Sequence, residues 1–142
     1  CERAVKYYLK DEKDGKIIQE LYPEIKNSFN QEVQEISFEQ PFQLKTTLNK
    51  ESSLNLGGFK IDIQDDCLHL NREEVSIQAN KVCNDVVSPK LEGNYDLEIY
   101  YDHHVFEIYI NGGEYVMSQV VYDLNDQVVI QNTEYKVYVR SL

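Results

Sequence analysis

The chain has 142 residues and a formal net charge of −11, which comes from 25 acidic and 14 basic residues. Because nucleic-acid affinity depends largely on Lys and Arg neutralising phosphates, this charge disfavours nucleic acid and anionic membranes as partners. A chain of this length forms one ordinary domain that buries about two-thirds of its unfolded surface, so its core needs neither a disulfide nor a metal.

The sequence shows no targeting or membrane-spanning segment. No apolar run is long enough to cross a bilayer, and the acidic N-terminal stretch lacks the charged and apolar regions of a signal peptide. The cysteines, Cys1, Cys67 and Cys83, are widely separated and form no Cys-x-x-Cys pair. We therefore expect a soluble protein with reduced thiols, a cytoplasmic location and no cofactor. Because the chain opens at Cys1 and its single Met is Met117, we also expect it to be cut from a longer protein.

The first 29 residues predict a linker. Residues 4–10 and 16–19 indicate two extended segments around Lys13-Asp14-Gly15, and residues 20–29 allow a short helix that Pro23 interrupts. We therefore expect a linker at residues 1–29 and a single β-sandwich domain at residues 30–142.

From Pro41 onward the sequence predicts a run of short strands. Phe42, Leu44, Thr46 and Leu48 alternate with other residues at the period of a half-buried strand. Many short strands with regular turn residues and no long helix pack as two sheets. We therefore predict an all-β, two-sheet antiparallel β-sandwich of the jelly-roll or concanavalin-like class. The further strands are expected near residues 53–64, 66–72, 74–79, 95–101, 104–111, 114–122, 127–131 and 134–140.

Residues 97–122 predict a meander of three strands joined by two tight turns. The turns, at residues 102–104 and 111–113, contain residue types that accept positive φ. Glu98 and Glu107 are expected to point away from the core, because they alternate with apolar positions. The apolar residues that recur at period two, and are expected to line the core, are Ile99, Phe106, Ile108 and Ile110.

This meander resembles the C-terminal β-sandwich module of glycoside hydrolase family 32, which includes invertases, levanases and sucrose-6-phosphate hydrolases. His104 and Val105 stand where the module has two serines, and His103 takes the place of a basic residue. Residues 58–63 and 67–72 resemble an earlier hairpin of the module, and residues 3–25 resemble the linker from its catalytic domain. The residues that fall on the module's strand-turn-strand pattern are Asp102, Glu107, Tyr109, Asn111, Gly113 and Glu114.

The resemblance implies that the catalytic carboxylates lie outside this chain. Family 32 enzymes hold them in Asn-Asp-Pro, Arg-Asp-Pro and Glu-Cys segments on a five-bladed propeller that precedes the sandwich. None of these segments occurs here, and the nearest strings lack the proline or the glutamate: Asn84-Asp85-Val86, Asn125-Asp126-Gln127 and Asp66-Cys67. We therefore assign no catalytic residue to the chain.

Other residues that carry reactive or ligating groups are better explained as turns. Adjacent carboxylates such as Asp65-Asp66 diverge in a hairpin turn. His103-His104, with Asp102 and Glu107 nearby, offers ligand atoms at a spacing that matches no zinc site. The glycine pairs lack the strand-to-helix setting of a phosphate loop: Gly57-Gly58 and Gly112-Gly113. We therefore assign no metal-binding or cofactor-binding residue.

The resemblance implies a non-catalytic domain of a cytoplasmic fructosidase, of the sucrose-6-phosphate hydrolase or β-fructofuranosidase kind. Its partner would be its own N-terminal catalytic propeller, which it packs against and stabilises. Such a domain should expose an apolar patch near the linker, with contributions from Tyr7, Leu9, Ile18, Leu21 and Ile25.

Two alternatives remain open from the sequence: a carbohydrate-binding module for fructans or galactosides, and a subunit contact in an oligomer of the parent enzyme. Sandwich folds often serve as lectins, and the 11 Tyr residues supply rings that can contact sugars. Packing is sufficient to explain the tyrosines that lie in predicted strands: Tyr100, Tyr101, Tyr109, Tyr115, Tyr135 and Tyr138.

Overall fold

A computed structural model describes residues 7–13, 16–72, 85–91 and 93–140, with side chains at residue 19 and from residue 21 onward. One short helix and thirteen strands occur in these ranges, in chain order: β1 Tyr7–Lys13, β2 Lys16–Leu21, α1 Pro23–Lys26, β3 Phe29–Val33, β4 Phe42–Leu48, β5 Ser53–Leu56, β6 Phe59–Gln64, β7 Cys67–Asn71, β8 Asp85–Val87, β9 Tyr95–Asp102, β10 Val105–Ile110, β11 Tyr115–Val120, β12 Val128–Gln131 and β13 Tyr135–Arg140. None of the described helices is long and apolar enough to span a bilayer.

Eleven strands form two antiparallel sheets, and β1 pairs with β2 as a separate hairpin. The six-stranded sheet has the order β11-β10-β9-β4-β13-β3, and the five-stranded sheet has the order β12-β5-β6-β7-β8. Consecutive strands β9, β10 and β11 are neighbours, as the predicted meander requires. The predicted all-β, two-sheet sandwich is confirmed.

The main core lies between the two sheets and is filled by alternate residues of each strand. In β6, Phe59, Ile61 and Ile63 are buried while Lys60 and Gln64 are exposed. The rings of Phe59, from the five-stranded sheet, and Phe106, from the six-stranded sheet, lie 4.8 Å apart, so the two inner faces interdigitate. The four meander residues predicted to line this core are fully buried: Ile99, Phe106, Ile108 and Ile110.

The predicted turns are confirmed by residues in the left-handed region. Asp65 and Asp66 have φ of 53° and 62°, and His103 and His104 have φ of 45° and 70°. Asp, Asn and His tolerate this region better than branched residues do, and a two-residue hairpin turn requires it. The backbone conformation therefore explains why polar residues occupy these positions.

Some boundaries differ from the sequence prediction. Residues 53–64 form two strands, β5 and β6, because Gly57 and Gly58 turn the chain at φ of 66° and 104°. The helix covers only Pro23–Lys26, since residues before it continue β2. The predicted strand at 74–79 lies outside the described residues.

Two of the four edge strands, β3 and β8, were missed, because the middle of β3 is polar and β8 has only three residues. β3 pairs with β13, and β8 pairs with β7. Asn30, Gln31 and Glu32 in the middle of β3 are all exposed, so the strand shows no apolar alternation. The strand is held in the sheet by backbone hydrogen bonds, which do not require alternating apolar side chains.

Truncation of Ile108 tests the assigned register. Ile108 lies opposite Ile99 and Met117 with none of its surface exposed, so I108A should lower the free energy of unfolding by about 2 to 5 kcal/mol. Val129 in edge strand β12 is 46% exposed, and V129A should cost under about 1 kcal/mol. Urea unfolding followed by circular dichroism measures both. Equal losses would contradict the burial of Ile108 in the main core.

Candidate functional site

The outer face of the six-stranded sheet, which points away from the five-stranded sheet, is unusually well covered at its centre. Tyr100, Glu107 and Tyr109 project from β9 and β10 on this face and are only 2%, 4% and 4% exposed. The prediction that Glu98 and Glu107 point away from the main core is confirmed, because they alternate with core residues. Their face, however, is not open to solvent at Glu107.

The cover is the crossing segment, residues 19–29. At one end the backbone N–H of Gln19 donates to the carbonyl of Gly113, in the turn between β10 and β11, at 2.9 Å. At the other end the chain enters β3, at the opposite edge of the sheet next to β13. The segment therefore passes over the outer face from one edge to the other.

Helix α1 makes the bend in the middle of the crossing segment. Pro23 occupies the first helical position, where its missing N–H leaves no bond unmade. Glu24 lies in the first turn and Lys26 in the last, which matches the helix dipole. The N–H of Lys26 donates to the carbonyl of Tyr22 at 3.0 Å.

A second apolar cluster joins the crossing segment to the sheet. Leu21, Phe29, Tyr100 and Tyr109 are buried together, and Ile25 packs against them. The rings of Phe29 and Tyr100, and of Tyr100 and Tyr109, meet edge-on with centroids 5.6 Å apart. Edge-to-face contacts of this kind add to the free energy gained from burial.

A polar network continues the contact. Gln43 Nε2 donates to the Tyr100 hydroxyl at 2.8 Å, and that hydroxyl donates to Glu98 Oε2 at 3.1 Å. Lys26 Nζ lies 3.7 Å from Glu98 Oε1. Burial raises the pKa of Tyr100 far above its ordinary value, and the charge of Glu98 raises the pKa further. The phenol therefore acts as a neutral donor that anchors the segment, rather than as an acid or base.

The prediction that Leu21 contributes to an exposed apolar patch is wrong. Leu21 is 1% exposed, because it is buried against the chain's own sheet in the second apolar cluster. Ile25 is half-buried in the same place. The side chains of Tyr7, Leu9 and Ile18 lie outside those described.

The three strings nearest to the catalytic segments of family 32 lie in different turns and strands. Asp66 lies in the β6–β7 turn, where Lys50 Nζ approaches its Oδ1 at 3.3 Å. Asp126 is exposed in the turn before β12, and Asp85 is exposed at the start of β8. Asn84 lies outside the described residues.

The histidine pair occupies the β9–β10 turn. His103 Nδ1 contacts the carboxylate of Asp102, and the ring of His104 lies 5.3 Å from that of Tyr122. Among the described residues, no three His, Cys, Asp or Glu side chains lie close enough to hold a metal ion.

Sequence reasoning missed the residues that matter most on the outer face. Gln43 looks like an ordinary outward-facing strand residue, yet it is 3% exposed and bonded to Tyr100. The sequence indicates Gly113 as a turn glycine on the family pattern, but it does not show that a Cβ there would lie 1.7 Å from the carbonyl oxygen of Gln19. Both roles depend on contacts between segments that are distant in sequence, so the sequence alone does not show them.

Comparison with known proteins gives one family match. The family described as "Glycosyl hydrolases family 32 C terminal" matches residues 18–141. A search of curated proteins found no match.

Two solved structures show similar chains. Sucrose-6-phosphate hydrolase from Lactobacillus gasseri superposes with a TM-score of 0.68 at 20% identity, over 95% of this chain and 33% of its own. The chain thus spans about a third of that protein, and the likeness concerns the fold. A family 7 alginate lyase, A1-II′, gives a TM-score of 0.39 at 13% identity, over 94% of this chain and 66% of its own, which is too low to support an argument.

The matched glycines of the β10–β11 turn test the attachment of the crossing segment. Gly112 and Gly113 both have positive φ, but only Gly113 lacks room for a Cβ, because of Gln19. G112A should destabilise by about 1 kcal/mol through backbone strain alone. G113A should destabilise more and increase hydrogen exchange at residues 19–26. Equal exchange in the two variants would contradict the attachment.

The buried phenol of Tyr100 gives a pH dependence with a definite sign. Its pKa is raised in the folded state, so its contribution to stability is complete below the unfolded-state pKa of about 10 and is lost as pH rises above it. Urea unfolding between about pH 8 and 11 should therefore show a steeper loss for the native chain than for Y100F. Y122F, at an exposed ring, should keep the native slope. Identical slopes for all three chains would refute the assignment.

Proposed function

The chain belongs to glycosyl hydrolase family 32 as its C-terminal, non-catalytic β-sandwich domain, and we propose that it packs against and stabilises an N-terminal catalytic propeller. The observation that carries this proposal is the family match over residues 18–141, since it includes nearly the whole sandwich and the crossing segment. A fructosidase of the sucrose-6-phosphate hydrolase or β-fructofuranosidase kind is the parent enzyme that the sequence resemblance favours.

The crossing segment supports the role because it makes the linker part of the sandwich. Leu21 and Phe29 are buried against Tyr100 and Tyr109, so the chain leaving the sandwich toward the hairpin β1–β2 is held by packing. A linker held in this way fixes the orientation of the two domains that it joins, whereas a flexible Gly- or Ser-rich linker would not. A catalytic domain preceding the hairpin would therefore be fixed relative to the sandwich.

A cytoplasmic location is part of the proposal. It is supported by the free thiol of Cys67, since cytoplasmic proteins keep their cysteines reduced. Self-association of the sandwich, the oligomer contact expected as an alternative, stays a prediction.

The 142-residue chain alone should hydrolyse neither sucrose, sucrose-6-phosphate, inulin nor levan. A retaining glycosidase needs two carboxyl groups about 5 to 5.5 Å apart across the scissile bond, and the chain lacks the three segments that hold them in the family. Release of reducing sugar measures this, with an intact family 32 enzyme as the positive control. Turnover that persists through repeated purification of the chain would overturn the non-catalytic role.

The stabilising role is tested in the full-length protein that contains this chain. Replacement of Gly113 by Ala should lower the temperature at which glycosidase activity is lost by more than the matched G112A does, because only the first change disturbs the contact with Gln19. The activity at low temperature should stay the same, since neither residue belongs to a catalytic centre. A full-length protein without a catalytic domain before the sandwich would overturn the proposal.

A further inference from the structure

The turn between β10 and β11 contains the single Asn-Gly pair of the sequence, Asn111-Gly112. In such a pair the backbone nitrogen of the glycine attacks the side-chain carbonyl carbon of the asparagine, because glycine has no side chain to hinder the approach. The Asn111 Cγ–Nδ2 bond breaks, and the amide nitrogen leaves as ammonia with the proton of the Gly112 amide. The resulting succinimide ring is opened by water to aspartate, or to isoaspartate when the chain continues through the side-chain carbonyl.

The same turn attaches the crossing segment to the sheet. The carbonyl of Gly113 accepts the N–H of Gln19 at 2.9 Å, and a Cβ at Gly113 would lie 1.7 Å from the Gln19 carbonyl oxygen. Asn111 is joined to β9 by two bonds, since its N–H donates to the Asp96 carbonyl at 2.8 Å and its Oδ1 accepts the Asp96 N–H at 2.9 Å. A change in the backbone of this turn therefore acts on the crossing segment and on β9 together.

The folded turn keeps the two reacting atoms apart. Asn111 and Gly112 have φ of 52° and 74°, and the Gly113 N–H donates to the Ile110 carbonyl at 3.1 Å, which together define a type I′ turn. In this turn the Gly112 nitrogen lies on the side of the Asn111 Cα opposite to Cβ, so it does not reach Cγ. The reaction therefore requires the turn to open.

The product does not fit the closed turn. Isoaspartate adds one methylene to the main chain between residues 111 and 112, inside the loop that the Gly113–Ile110 bond closes. The extra atom displaces Gly113 from Gln19, where the two backbones are too close to admit a Cβ. Gly112 is exposed, so packing on its solvent side does not oppose this displacement.

We propose that Asn111 is a deamidation site that the closed turn protects, and that its conversion to isoaspartate releases the crossing segment from the sheet. A covalent change in one exposed turn then loosens the part of the chain that leads to the hairpin β1–β2. The inference rests on the attachment of the crossing segment within this chain, so it does not depend on a catalytic domain before the hairpin.

The first test compares deamidation of the 142-residue chain in its folded state and in urea, at mildly alkaline pH, by mass spectrometry of proteolytic peptides. In urea Asn111 should convert faster than every other Asn, and at least about tenfold faster than in the folded chain, because the closed turn no longer separates the reacting atoms. G112A should slow the conversion in urea, since a methyl group hinders the attack. In the folded chain G113A should speed the conversion, whereas V129A, at an exposed position far from the turn, should not.

The second test examines the product. The chain is deamidated in urea, refolded and separated by ion exchange, since the conversion adds one negative charge. Hydrogen exchange at residues 19–26 should be faster in the isoaspartate form than in the native chain. N111D carries the same added charge on an unchanged main chain, and it should exchange like the native chain.

The proposal is overturned if Asn111 converts equally fast in the folded chain and in urea, or if another Asn converts first in urea. It is also overturned if the isoaspartate form and N111D exchange alike at residues 19–26. Exchange that rises throughout the chain, rather than in the crossing segment, would contradict the release.

Discussion

Burial on both faces of β9 and β10 is the constraint on which the rest of this structure depends. Ile99 and Ile108 face the main core, while Tyr100 and Tyr109 face the crossing segment, and all four are nearly inaccessible to solvent. An antiparallel sheet commonly leaves one face in water. Here the centre of the six-stranded sheet is enclosed, so two-sided packing sets the geometry of the strands and of the chain that crosses them.

This enclosure gives a physical meaning to the family pattern in β10 and the turn after it. Tyr109 belongs to the second apolar cluster, and Gly113 admits the backbone of Gln19 where a Cβ would collide with it. Asn111 Oδ1 accepts the N–H of Asp96 at 2.9 Å and so joins the turn to the start of β9. These pattern positions therefore hold the crossing segment and the turn in place.

The outer face is divided between packing and open surface. At its centre, aromatic residues and the Gln43–Tyr100–Glu98 network are covered by the crossing segment. Farther along, β4 and β13 present Lys45 and Lys136 opposite each other, and both side chains are exposed. The first region explains how the crossing segment is attached to the sheet, whereas the second is open to solvent.

The sequence by itself determined the sandwich and its turns, because these depend on local chemistry. Period-two burial at Ile99, Phe106 and Ile108 and positive φ at Asp65 and His104 follow from residue types at fixed spacing. The tertiary structure alone decided that β3 is a strand, that Leu21 is buried, and that Gln43 is buried on the outer face beside Tyr100. The polar edge strand β3 is held by backbone bonds, and burial of an outward face depends on segments distant in sequence. Neither leaves a local pattern, so only the folded chain shows them.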